Sequence, residues 1–102
     1  MKTTAFSPVS WTSVSLTAAA ASANVQLRAA GNTNVLMACR VVNESANPAN
    51  IAFGSASVAA TATSYRILPN SVEVVRIPFD ATHVAAISAA GATLSFTLGD
   101  GM

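Results

Sequence analysis

The chain has 102 residues, a net charge of +1 from five basic and four acidic residues, and only 9% charged residues. This length fits one domain that buries about two-thirds of its unfolded surface without disulfides or metal. The single cysteine excludes an intrachain disulfide, and the lack of a basic stripe argues against nucleic-acid binding. Because an average domain is about 25% charged, this composition predicts a surface that other protein subunits cover.

The N-terminal part of the chain begins with a polar stretch that ends in Pro8. We predict a flexible arm over residues 1–8, followed by one β-sandwich domain over residues 9–102. Apolar residues alternate from Val9 to Thr17, and their parity changes near Thr12 and Ser13. This change predicts either a bulge or a bend between two sheets.

The middle of the chain contains its most apolar run, from Val35 to Val42. Continuous hydrophobicity of this kind predicts a central strand that is covered on both faces. Short strands are also predicted over Asn24–Ala29, Ile51–Phe53, Ser57–Ala60 and Ser64–Leu68, with a loop over Asn43–Asn50 and turns at 31–34 and at Pro69-Asn70.

The last third of the chain contains three successive apolar segments. Apolar, β-rich runs over Val72–Phe79, His83–Ser88 and Thr93–Leu98 are separated by Pro78-Phe79-Asp80 and Ala90-Gly91, and Gly99-Asp100-Gly101 predicts a flexible end. Short strands at such spacing predict an all-β fold. We expect a single β-sandwich or jelly roll of about eight antiparallel strands.

Few residues could carry chemistry. His83 is the only histidine and has no cysteine cluster beside it, so no metal site is expected. Cys39 lies inside the apolar run and is interpreted as a buried structural thiol, since a nucleophile needs a positive, partly exposed setting. Although Cys39, His83 and Asp80 can be written as a triad, nothing in their spacing supports one. No catalytic, cofactor-binding or metal-binding residue is therefore predicted.

Six residues are candidates for contacts with other subunits. Trp11 and Tyr65 are interpreted as core or interface anchors, and His83 as a hydrogen-bonded or interface residue. Arg66 and Arg76 are expected to pair across strands or across a subunit boundary. The full set of interface candidates is Phe6, Trp11, Tyr65, Arg66, Arg76 and His83.

Several segments from residue 24 onward resemble a known protein family. They are Arg40-Val41-Val42-Asn43-Glu44-Ser45, Ile51-Ala52-Phe53-Gly54, Leu68-Pro69-Asn70-Ser71-Val72-Glu73-Val74, Ile77-Pro78, Ala81–Ile87, Gly91 and Leu98-Gly99-Asp100-Gly101-Met102. In this order they are similar to the small β-sandwich structural proteins of tailed bacteriophages, often encoded near the major capsid protein.

This resemblance implies a virion component, most simply a capsid decoration (cement) protein on the capsid surface, made in the host cytoplasm. The implied partners are the major capsid protein and copies of the chain itself, with a homotrimer expected. Such proteins have no active site, so the resemblance implies neither a cofactor nor a small-molecule substrate. No membrane partner is expected either, because no run approaches the roughly 18 apolar residues of a membrane span.

Other functions remain open at this point. The chain could form part of the tail, the neck or a head fibre of the same virion, since the resemblance hardly separates these from cement. It could also be a carbohydrate-binding sandwich that stacks sugars on Trp11 and Tyr65. A hydrolase is disfavoured, because the sequence lacks an acid–base constellation.

Overall fold

The strands of the protein form two antiparallel sheets. The computed structural model describes residues 7–8, 13–28, 38–78 and 80–100. Within these ranges the strands are β1 (Ser7–Pro8), β2 (Val14–Ala18), β3 (Ala23–Gln26), β4 (Ala38–Asn43), β5 (Ala49–Gly54), β6 (Tyr65–Ile67), β7 (Ser71–Arg76), β8 (His83–Ile87) and β9 (Ala92–Asp100). The predicted all-β sandwich is confirmed.

Sheet one has the strand order β1-β9-β4-β7, with β2 also paired to β9, and sheet two has the order β3-β8-β5-β6. In sequence terms, β2 pairs with β9, β3 with β8, β4 with β7 and β5 with β6. The first half of the chain, β2 to β5, thus pairs with the second half, β6 to β9, as in one long hairpin whose turn lies between β5 and β6. This hairpin folds into the two layers. This is the double Greek-key arrangement of a jelly roll.

Strands β1 and β2 lie along the same side of β9, with a change of register between them. Pro8 lies opposite Gly99 and Val14 opposite Phe96, so the chain advances by six residues from β1 to β2 while the partner on β9 changes by three. An odd offset reverses the face to which side chains point, as the sequence predicted. Both strands belong to sheet one, so a bend between two sheets is wrong.

Ser7 and Pro8, from the predicted N-terminal arm, are paired with β9. Residues 1–6 lie outside the described residues. The arm and the domain boundary at residue 9 therefore stay predictions.

The core lies between the two sheets and is built from alternate residues of each strand. Side chains of sheet one that point inward include Val41, Leu94 and Phe96, and those of sheet two include Ile51 and Val84, all essentially without solvent exposure. Full burial of such side chains stabilises the fold by about 1.5–3 kcal/mol each. The period-two alternation in the sequence is thus explained by one buried and one outer face for each strand.

The connection from β5 to β6, residues 55–64, folds across the outer face of sheet two, and we call it the cover loop. Asn24 Nδ2 on β3 donates to the carbonyl oxygens of Ala56 at 3.0 Å and Val58 at 3.2 Å. The Ala60 amide donates to Ser22 Oγ at 2.8 Å. Because side chains of β3 and its approach take up these backbone groups, the strand predicted over Ser57–Ala60 is wrong.

Two further predictions need correction. The run Val35–Val42 contributes a central strand, β4, but Arg40 on it is exposed, so the strand is not covered on both faces. Gly99 and Asp100 are not a loose end, because they continue β9 and pair with β1. The predicted turns at Pro69-Asn70 and at Ala90-Gly91 are confirmed by positive φ angles, 50° at Asn70 and 90° at Gly91.

Candidate interaction surfaces

On the outer face of sheet one, Arg40, Val72 and Arg76 are exposed, and no described segment lies over them as the cover loop does on sheet two. We call this outer face the open face. Residues opposite one another in an antiparallel pair share a face, so the register defines its members. They are Ser15 and Thr17 on β2, Thr93, Ser95, Thr97 and Gly99 on β9, Ala38, Arg40 and Val42 on β4, and Val72, Val74 and Arg76 on β7, and of these Ala38, Thr97 and Gly99 are buried. Hydroxyl-bearing side chains cover one half of the open face, and valines and arginines the other.

The valine half of the open face is an apolar cluster beside two arginines. Val42 lies directly opposite Val72, which is 51% exposed, and Arg40 lies opposite Val74. Arg76 lies opposite Ala38, so it is the diagonal neighbour of Arg40. Diagonal positions are about 7–8 Å apart, and the described open face carries no acidic residue. It is therefore electropositive around an apolar centre.

The outer face of sheet two is partly occupied by the protein itself. Ala85 points to this face but is completely buried, because the cover loop lies over it. Toward the other end of the sheet, Arg66 is exposed and lines a groove of about 310 Å³. The remaining lining residues are mostly apolar: Ala20, Pro48, Asn50, Ala62, Ile87 and Ala89.

The edge where β6 and β7 end their sheets carries exposed apolar side chains. Tyr65 is 55% and Leu68 57% exposed. The Tyr65 hydroxyl donates to Glu73 Oε1 at 2.6 Å and so joins the edges of the two sheets. This hydrogen bond, and then the charge of Glu73, raise the pKa of Tyr65. Beside it lies a groove of about 390 Å³ lined by Phe53, Tyr65, Val74, Val75, Arg76 and Pro78.

Arg28 supports this end of the molecule from inside. Its side chain is only 6% exposed, and its Nε and Nη2 donate to the carbonyl oxygens of Ala81 at 2.8 Å and Pro78 at 3.2 Å. Burial lowers the pKa of Arg28. No local signal in the sequence pointed to this role, because the acceptors are carbonyls about fifty residues away. Arg28 thus fixes the turn that leads into β8.

Cys39 and His83, the two residues whose side chains could act as nucleophile or base, lie in different sheets. Cys39, on β4, is completely buried, and burial raises the pKa of its thiol to about 12, which disfavours the thiolate that nucleophilic catalysis needs. His83, on β8, is half-buried, and its Nδ1 is 2.8 Å from Thr82 Oγ1. The interpretation of Cys39 as a buried thiol is confirmed.

The four interface candidates that the structure describes do not form one surface. Phe6 and Trp11 lie outside the described residues. Tyr65 is exposed at the β6–β7 edge, Arg66 on the outer face of sheet two and Arg76 on the open face. A role for each in subunit contacts stays a prediction.

The sequence reasoning missed Arg40, the second arginine of the open face. Its position inside an otherwise apolar run was the available signal, since a charged residue in such a run marks a solvent-facing side of the strand.

Within the ranges that the structure covers, no three His, Cys, Asp or Glu side chains come together as a metal site. The same ranges contain no helix with the length and apolar character needed to cross a membrane. No protein family, no curated protein and no solved structure matches this chain significantly.

Proposed function

We propose that the protein is a non-enzymatic structural component of a virus particle, most simply a capsid decoration (cement) protein of a tailed bacteriophage. In this role it binds the major capsid protein and copies of itself, as a homotrimer, at the capsid surface. The protein is made in the host cytoplasm and needs no cofactor. Its contribution is to clamp neighbouring capsid subunits.

The observation that carries this proposal is the open face. A sheet face whose described residues bear small, hydroxyl and valine side chains with only two charges can be buried without desolvating many ions. Because a symmetric shell repeats every contact, individually weak contacts of this kind add up through avidity. The small fraction of charged residues, 9%, is consistent with a surface that other subunits cover in the assembled particle.

The jelly-roll topology agrees with this role but does not specify it. This architecture occurs in viral capsid proteins, in lectins and in cupins, so the fold alone is compatible with several functions. The buried, high-pKa thiol of Cys39 disfavours one catalytic use of this scaffold.

The test is to delete the gene from the virus that encodes the chain and to compare purified particles with and without the protein. We expect on the order of hundreds of copies on wild-type heads, because a symmetric shell repeats each binding site many times. We also expect particles without it to release DNA at a lower temperature or after milder osmotic shock. Particles that lack the protein yet are equally robust would contradict the cementing role.

Copy number separates the cement role from a tail, neck or head-fibre role. A tail or neck component would be present in roughly six to a few dozen copies, because those structures have low rotational symmetry. Localisation by electron microscopy of tagged particles gives the same distinction independently.

A carbohydrate-binding role is the second candidate, favoured by the exposed ring of Tyr65 beside the 390 Å³ groove. Lectins use the same architecture, and an exposed aromatic ring next to a polar group suits sugar stacking. A glycan array tests it with the wild-type protein and Tyr65→Ala side by side. Absence of any bound glycan removes this candidate, as does a glycan that Tyr65→Ala binds equally well.

A further inference from the structure

The open face of sheet one carries two arginine side chains that have no partner among the described residues. The side chains of Arg40 and Arg76 are both exposed, and neither guanidinium has a hydrogen bond or ion pair with another described residue. As diagonal neighbours on adjacent strands they repel one another. Two of the five basic residues of the chain therefore lie together, on a face whose described part has no acid.

We propose that this face docks on an acidic patch of a protein partner, with Arg40 and Arg76 binding carboxylates and the valines Val42, Val72 and Val74 packing at the centre. If the proposed function holds, on which this proposal rests, the partner is the shell protein of the particle. The open face, rather than the β6–β7 edge or the outer face of sheet two, is then the side turned toward the capsid.

Charge complementarity identifies the chemistry of the partner. A guanidinium presents a planar fork of donors that a carboxylate accepts in a bidentate manner. One acidic side chain between Arg40 and Arg76, or one opposite each, relieves their repulsion and satisfies their donors on binding. Such pairs contribute to specificity and association rate more than to raw affinity.

The apolar centre distinguishes a protein partner from a nucleic acid. Val72 is half exposed and lies directly opposite Val42, so the two form one patch beside the arginines. Protein interfaces have this anatomy, with an apolar core and charged or polar groups around it. A phosphate backbone instead binds through an extended row of basic groups, which the described open face does not offer.

The other outer face is already taken by the chain itself. The cover loop is held to β3 by Asn24 and leaves Ala85 completely buried. A partner would have to displace this loop to reach the sheet there. On the open face, Arg40, Val72 and Arg76 are exposed, so docking on them displaces no described segment, and rigid docking is the default expectation for a preformed surface.

The experiment measures binding of the purified protein to heads from the encoding virus that lack it, by co-sedimentation at several salt concentrations. Arg40→Glu/Arg76→Glu reverses both charges of the open face. Arg66→Glu is the matched control, since Arg66 is also an exposed arginine on a strand but lies on sheet two. We expect wild-type binding to weaken with salt, the double variant to bind about tenfold or more weakly, and Arg66→Glu to bind like wild type.

Each outcome is decisive. Wild-type binding that Arg40→Glu/Arg76→Glu leaves unchanged overturns this inference and leaves the proposed function standing. Wild-type protein that does not bind the heads overturns both. Arg40→Glu/Arg76→Glu could also convert the oligomer into monomers that still bind heads. This result would show that a second copy of the chain occupies the open face, and it also overturns the inference. Arg40→Gln/Arg76→Gln, with thermal unfolding of every variant, shows whether a loss comes from charge or from misfolding.

Discussion

The two outer faces of this sandwich differ in what covers them, and side-chain size explains the difference. On sheet two, the covered positions carry the small residues Ala52, Gly54 and Ala85, so the backbone of the cover loop can approach closely. On sheet one, the outer positions of β4 and β7 carry the larger side chains of Arg40, Val72 and Arg76, which are exposed. The cover loop thus lies over small residues of sheet two, whereas β4 and β7 present larger side chains to solvent or a partner.

The largest effect is expected where the cover loop meets sheet two. A Cβ added at Gly54 would lie 2.9 Å from Val58 Cγ2 and 3.0 Å from Val58 Cβ. Because a valine side chain is stiff, Gly54→Ala must displace the loop, and we expect it to lower the free energy of unfolding by about 1–3 kcal/mol. Urea unfolding measures this change.

Gly54→Ala/Val58→Ala is the matched control, since the second substitution removes the methyl groups that clash. We expect the double variant to recover part of the loss relative to Gly54→Ala alone. A Gly54→Ala variant as stable as wild type would contradict the close packing of the cover loop on sheet two, and with it the proposed difference between the two outer faces.

Beneath the open face, Cys39 reports how well the inner side of sheet one is closed. Its pKa is raised by burial from 9.0 to about 12, so the folded state keeps the thiol proton when the unfolded chain has lost it. This contribution to stability is complete below about pH 9 and is lost as the pH rises toward 12, at up to about 1.4 kcal/mol per pH unit. We expect a loss of about 1 kcal/mol between pH 8 and pH 10.

The comparison is with Cys39→Ala, in which the alkaline loss should shrink although the packing is poorer at every pH. Equal pH slopes for the two proteins would show that solvent reaches Cys39 through sheet one. Urea unfolding across this pH range provides both curves, and the Tyr65 hydroxyl, present in both proteins, cancels in their difference.

The hydrogen bonds of Asn24 should matter less than the packing at Gly54. Asn24→Ala removes two donors to the cover loop, and a net loss of about 1 kcal/mol is expected. Limited proteolysis should then cut residues 55–64 faster. Thr17→Ala, on a strand of the open face, is the control that should leave cleavage there unchanged, and equal cleavage in both variants would contradict the role of Asn24.

The smallest effects are expected on the open face. Substitutions such as Thr93→Ala or Arg76→Gln should change the free energy of unfolding by less than about 0.5 kcal/mol, because these side chains are exposed. Arg76→Gln should even stabilise slightly at low salt, since it relieves the repulsion from Arg40. Thermal unfolding at two salt concentrations tests this, and a large loss would show that the open face contributes to folding rather than to binding.

Much of the fold could be predicted from local pattern. Alternation located most strands because each has one buried and one outer face, and the turns at Asn70 and Gly91 followed from residue types that accept positive φ. Prediction failed at Ser57–Ala60, where the sequence pattern resembles a strand. There the backbone partners are the side chains of Ser22 and Asn24, more than thirty residues away.

The candidate surfaces could be predicted from the sequence only in part. Tyr65, Arg66 and Arg76, which the sequence suggested as interface candidates, are exposed. They lie on three different surfaces, because neighbouring residues of β6 point to opposite faces and β7 belongs to the other sheet. Arg40 was missed, since only the pairing of β4 with β7 brings it beside Arg76. Neighbourhood across a sheet depends on register, which a single sequence fixes only weakly.

The sequence by itself determined the all-β class, the small number of charges and the absence of a second cysteine, because these follow from composition and period-two alternation. Only the tertiary structure decided that the strands wind as a jelly roll, that residues 55–64 cover sheet two, and that Arg40 and Arg76 meet on the open face. The physical reason is range: alternation is local, whereas strand order, loop coverage and charge clustering depend on contacts between residues far apart in the chain.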